Sequence, residues 1–249
     1  MSINKEQLLT WLQEFYINKI NFVLLPSNIG DVKIGTYALL EKIPAKSGML
    51  RVHTVSNPGW HLEFNHQDIL YNNKSFTNIE INCGINLVDQ ESEEWLDAQY
   101  RENIFSAGGG PLYLCITLEA FRSFIEQKRL IIDDLITFRE DLKKNNSLLW
   151  WLEEFYYSCC DTDWEHMYGY SLISVREGWL MVLSVEELCY EDYPFERVII
   201  EEEGGKVECY MLENQFIIRA HCRGLITGIR IFKEWIEEQP SYEEKRKDS

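Results

Sequence analysis

The sequence predicts an α+β protein made of two repeated modules, each a helix, an antiparallel sheet of about four strands, and a closing helix. Two observations carry this. Four sequence blocks recur in the same order, with a constant offset inside each block. Within each copy, apolar residues fall at helical spacing at both ends and alternate in between.

The repeat opens with Leu9–Tyr16, LTWLQEFY, which returns as Leu149–Tyr156, LWWLEEFY. Gly59-Trp60 returns as Gly178-Trp179, and at the same offset Phe76, Ile79 and Ile81 meet Phe195, Val198 and Ile200. Glu102-Asn103-Ile104-Phe105 returns as Glu213-Asn214-Gln215-Phe216, followed by Phe121, Phe124, Ile125 and Glu126 against Phe232, Trp235, Ile236 and Glu237. The offset falls from 140 to 119 to 111, so the first copy carries its extra residues between these blocks. Such insertions belong in loops.

Each element has a local reason. Leu8, Trp11, Leu12, Phe15 and Tyr16 occupy i, i+3, i+4, i+7 and i+8, one face of a helix, and Leu148, Trp151, Leu152, Phe155 and Tyr156 repeat it. Residues 51–55, 60–64 and 77–81 read as strands, as do 170–175, 179–185 and 197–201. Leu96, Ala98 and Tyr100 alternate, matched by Val207, Cys209 and Met211. Ala107-Gly108-Gly109-Gly110-Pro111 lacks the Gly-Lys-Ser/Thr ending of a phosphate loop and reads as a flexible loop. The closing helices carry Leu118, Phe121, Phe124 and Ile125, and Ile229, Phe232, Trp235 and Ile236. Consecutive strands with short turns favour an antiparallel sheet with helices on one face.

The division that follows is a first module at 1–127, a helical linker at 128–146, a second module at 147–238 and a frayed tail at 239–249. The linker lacks Gly and Pro. Its Ile131, Leu135, Phe138 and Leu142 are spaced so that the first closing helix is expected to run on toward Lys144, about 40 Å at 1.5 Å per residue. Asn145 and Asn146 read as helix stop and N-cap.

Charge narrows the partners. The chain holds 24 basic and 41 acidic residues, net −17. Such a surface repels nucleic acid and anionic membranes and attracts a basic protein. Residues 1–130 hold 11 basic and 15 acidic side chains, and residues 131–249 hold 13 and 26, so an electrostatic partner is expected to favour the second half. The 7 cysteines show no framework spacing and read as reduced thiols of a cytoplasmic protein. No apolar run reaches membrane-spanning length, and the N-terminus has no apolar signal core.

The most pointed stretch is Ser158–Gly169, SCCDTDWEHMYG. Cys159, Cys160, Asp161, Asp163 and His166 could ligate a metal, but adjacent cysteines are poor ligand spacing and a second Cys/His cluster is missing. A Cys160/His166 hydrolase is the enzymatic alternative, though the neighbouring carboxylates oppose a thiolate. In the structural or recognition reading an Asp caps a turn, Trp164 packs on the sheet near Trp179, and His166 bonds locally. Asn57 and Trp60 belong to a turn signal, Ser56–Trp60, and Glu201, Glu202 and Glu203 form an acidic strand end suited to a basic partner. The residues favoured for contact with a partner are Asp161, Asp163, Trp164, Glu165, His166, Glu201, Glu202, Glu203, Asn57 and Trp60, with no catalytic residue, no metal and no cofactor.

Trp151–Tyr156, Cys160–His166, Tyr168-Gly169, Gly178-Trp179 and Phe232–Trp235 together resemble the immunity protein 53 family of bacterial polymorphic toxin systems. The first copy resembles it through Trp11–Tyr16, Asn57–Trp60 and Phe105 with the Gly-rich turn after it. The first copy replaces the Asp-Trp-Glu-His segment with an unrelated longer stretch, and the second has Arg176-Glu177 where the family has Asn-Pro. The resemblance implies an intracellular antidote that binds a co-encoded toxin without chemistry of its own, and the acidic surface suits a basic active site on that toxin, such as that of a nuclease. A regulatory scaffold with no toxin partner is the remaining alternative.

Overall fold

A computed structural model describes residues 6–19, 50–55, 58–65, 79–82, 95–102, 104–129, 131–175 and 178–239. The first half contains α1 (Gln7–Lys19), β1 (Leu50–Val55), β2 (Gly59–Asn65), β3 (Ile79–Asn82), β4 (Trp95–Arg101), β5 (Ile104–Gly109) and α2 (Leu114–Glu126). Helix α3 (Ile132–Lys144) follows. The second half contains α4 (Leu148–Cys159), the short α5 (Trp164–Met167), β6 (Tyr170–Val175), β7 (Gly178–Ser184), β8 (Val198–Glu202), β9 (Gly205–Leu212), β10 (Gln215–His221) and α6 (Leu225–Glu237). The α+β class and the two similar halves are as the sequence predicts.

The strands form one antiparallel sheet in the order β3-β4-β5-β2-β1-β6-β7-β10-β9-β8. The second half of that order mirrors the first, and the halves meet where β1 pairs with β6. Helices cover one face of the sheet, α2 lying on β2, β4 and β5 and α6 on β9 and β10. Leu50, Val52, Trp60, Leu62, Phe64 and Phe105 join Tyr170, Leu172, Trp179, Met181, Leu183 and Phe216 in a single core that crosses the seam. Helix aromatics are placed alike in both halves. Trp11 stacks on Phe15 at 5.5 Å and Trp151 on Phe155 at 5.3 Å, while Phe121 and Phe232 meet those phenylalanines edge-on at 5.2 and 5.5 Å.

Each half has a fifth strand beyond the four that the sequence marks. Ala107-Gly108-Gly109 lies in β5 between β4 and β2, where a flexible loop was expected. Its glycines are packing devices. A Cβ on Gly109 would stand 2.8 Å from Tyr113 Cβ and 2.9 Å from Thr117 Oγ1, so only glycine lets α2 approach this strand. Glu213 and Asn214 turn the β9–β10 hairpin with φ of 48° and 57°, and Glu102, at the end of β4, takes 51°.

The expected 40 Å helix does not form. Helix α2 ends at Glu126, because Gln127 adopts the left-handed conformation (φ 56°) and the last carbonyls turn back. Lys128 N–H donates to Ser123 O at 2.9 Å, and Gln127 N–H to Phe124 O at 3.3 Å. Helix α3 then packs on α2 and α4, with Leu135 and Leu142 buried. Asn145 does end α3, but the N-cap of α4 is Ser147, whose hydroxyl accepts the Trp150 N–H at 3.1 Å. The tail beyond residue 239 lies outside the described residues.

Candidate functional site

The Asp-x-Asp-Trp-Glu segment builds itself from reciprocal caps. Asp161 Oδ1 accepts the N–H of Asp163 at 3.1 Å and of Trp164 at 2.8 Å. Glu165 reaches back, accepting the N–H of Asp161 at 3.0 Å and of Thr162 at 3.0 Å. Donors that the turn would leave bare are thereby satisfied, and those backbone bonds hold the Asp161 carboxyl below its usual range. Glu165 is buried in this role, while Asp161, Asp163 and His166 are exposed.

Trp164 fixes the segment to the core. It is 3% exposed and meets the rings of Tyr156, Tyr168 and Tyr170. Trp179, the neighbour expected from the sequence, instead packs on Tyr16 at 5.0 Å. The indole Nε1–H donates to Glu186 O at 2.8 Å, and that bond ties α5 to the stretch between β7 and β8. Glu186, Glu187 and Glu191 thus join Asp161 and Asp163 at one end of the second half. The Tyr168 phenol records their presence: its pKa is raised by desolvation and then by Glu187, Glu186 and Glu191. Met167 projects from this surface at 66% exposure, with Tyr157 nearby in sequence at 37%. Residues 157–169 and 186–192 contain neither Lys nor Arg.

The three glutamates in the stretch before β8 were not singled out in the sequence. The signal was their density beside an aromatic-rich segment, but nothing local said that Trp164 would bring them to α5.

The two cysteines beside this site are poor nucleophiles. Burial, the largest cause, pushes the Cys159 and Cys160 thiols up to about 12, and for Cys160 the Glu165 carboxylate adds to it. A thiol in that range stays protonated at neutral pH, so neither cysteine is an activated nucleophile. Among the described residues, no group of three or more His, Cys, Asp and Glu side chains is arranged to hold a metal ion.

The other sequence candidates are dispersed. Trp60 is 2% exposed and inside the core, its Nε1–H donating to Pro111 O at 2.7 Å. Asn57 lies outside the described residues. Glu201 and Glu203 are exposed at the end of β8, an outer strand of the sheet. Glu202 is engaged: it accepts from Thr227 Oγ1 at 2.7 Å and lies 3.0 Å from His221 Nε2, contacts that hold its carboxyl below the usual range.

The halves diverge on the sheet face away from the helices. In the first half His53 and His61 sit edge to face at 5.1 Å, and His61 Nε2 is 2.9 Å from Ser106 Oγ. Burial holds both imidazoles below the usual range, His53 at about 3. In the second half that face holds buried Ile173, Leu180, Val182 and Ile217.

Among the described residues, no helix is long and apolar enough to cross a membrane. The family model for immunity protein 53 matches residues 45–126 and, a second time, residues 149–237. No curated protein and no solved structure was found to match.

Proposed function

The chain belongs to the immunity protein 53 family, and from that premise we propose that it is the cytoplasmic antidote of one polymorphic toxin, which it neutralises by binding. One observation carries the choice of surface. Five carboxylates, Asp161, Asp163, Glu186, Glu187 and Glu191, gather around α5, where Met167 and Tyr168 supply apolar contact. An apolar centre with a charged rim suits a protein partner. The centre supplies binding energy, and the rim supplies steering and selectivity.

The complementary partner is a toxin with a basic surface, such as the active site of a nuclease, which the acidic face would cover. Glu201 and Glu203, exposed at the end of the outer strand β8, add acidic charge elsewhere on the second half. The buried Trp164 and Glu165 act indirectly in this reading, by holding the exposed residues in place.

The test is co-expression with the toxin domain encoded beside this chain's gene. The pair should co-purify, and the dissociation constant should rise steeply between low and high salt as exposed charges are screened. Failure to form a complex would remove the toxin assignment. A salt-independent complex would leave the partner but remove the acidic surface.

A further inference from the structure

We infer that the seam between the two halves is a self-complementary association surface, so that the chain is a two-fold dimer whose copies are tethered through residues 128–131. The strand register supports this first. Strands β1 and β6 are both six residues long, and Val55 pairs with Gly59 as Val175 pairs with Gly178, so Leu50–Val55 corresponds residue by residue to Tyr170–Val175. Val52 pairs with Leu172, its own counterpart, while Arg51 pairs with Ile173 and His53 with Ser171. Arg51 corresponds to Ser171 and His53 to Ile173, so exchanging the two strands reproduces the pairing. A two-fold axis therefore passes between Val52 and Leu172, as in an isologous interface.

Side chains repeat the exchange. Leu50 N–H donates to Ser174 Oγ at 2.8 Å, and Tyr170 N–H donates to Thr54 Oγ1 at 2.9 Å. These are one contact made twice, since Leu50 corresponds to Tyr170 and Thr54 to Ser174. The helix termini are exchanged too. Gln13 on α1 accepts the Ile226 N–H at the start of α6, at 3.2 Å, while Glu153 on α4 accepts the Cys115 N–H at the start of α2, at 2.5 Å. Each opening helix caps the closing helix of the opposite half. The opening helices also cross over: Tyr16 donates to Val175 O, and Tyr156 accepts the Gly59 N–H at 3.3 Å. Two modules joined side by side by a linker alone would have no reason to make the strand, hydroxyl and helix-cap contacts in both directions.

A protease site inserted between Lys128 and Arg129 of the full chain, followed by cleavage of the folded protein, tests this. The pieces, 1–128 and 129–249, should co-elute, and should pair again after unfolding in urea and dilution. The urea midpoint of the cut protein should rise with protein concentration, because unfolding now separates two chains. A concentration-independent midpoint, meaning that each piece folds alone, would overturn the inference, and so would failure to pair again. In the cut protein Thr54→Val and Ser174→Ala should each weaken association by roughly tenfold, and by similar factors. Loss with one substitution but not the other would show that the seam is not self-complementary. Ile136→Ala, on the exposed side of α3, should leave the association unchanged.

Discussion

The Thr54 hydroxyl accepts the backbone N–H of Tyr170 at 2.9 Å, in a contact 1% exposed at Thr54 that bridges the halves. Removing the hydroxyl while keeping the shape leaves a buried N–H unsatisfied. Thr54→Val in the intact chain is therefore expected to cost about 1–3 kcal/mol, measured as a lower urea midpoint with an unchanged slope.

Glu153 gives stability a pH dependence. It is fully buried, and burial raises its carboxyl to about 7, against the lowering effect of its bonds to Cys115. The raised group holds a proton in the folded protein that it loses in the unfolded chain between about pH 4.5 and 7. Its contribution to stability therefore falls as pH rises through that window and stays low above it. Gln13 does the equivalent capping without charge, so Glu153→Gln should remove this slope and gain stability at pH 8 relative to pH 5. His53 acts in the opposite sense. Its depressed pKa costs stability as pH falls below about 6.5. Urea titrations of the two proteins at matched pH cancel the histidine, since both contain it; parallel curves across pH 5–8 would contradict the assignment to Glu153.

Trp164 and His166 should separate sharply on truncation. Trp164 is packed among three tyrosines and bonded to Glu186 O, so Trp164→Ala should destabilise by about 3–5 kcal/mol. His166 is exposed, and His166→Ala should stay within about 0.5 kcal/mol. Thermal or urea melts of the two variants check this; equal costs would show that Trp164 does not anchor the segment.

What the sequence revealed was whatever local pattern encodes. The Trp11–Tyr16 and Trp151–Tyr156 stripes predict α1 and α4, and alternation predicts the strands around Leu96 and Val207. Strand β5 was hidden because Gly108 and Gly109 are loop formers by propensity, and their strand role depends on Trp95, Tyr113 and Thr117 standing over them. The break at Gln127 was hidden because a non-glycine residue takes the left-handed conformation there. Apolar spacing alone carried through it. The pairing of β1 with β6 was not legible either, since a repeat says that two modules are alike and not that they share a sheet. At the candidate site the acidic residues of the Asp-x-Asp-Trp-Glu turn were found by their composition. Glu186, Glu187 and Glu191 needed the bond from Trp164 to Glu186.

The most direct test of the antidote reading is the affinity for the proposed cognate toxin, sought in the gene next to this chain's, after charge reversal at Asp163 and Glu187. Both side chains are exposed and away from the core, so Asp163→Lys with Glu187→Lys should leave the melting temperature nearly unchanged. Calorimetric titration at low salt should show the double variant binding at least tenfold more weakly than the parent, with a smaller difference at high salt. Equal affinity of parent and double variant at low salt, with both proteins folded, would contradict the assignment of toxin binding to this surface.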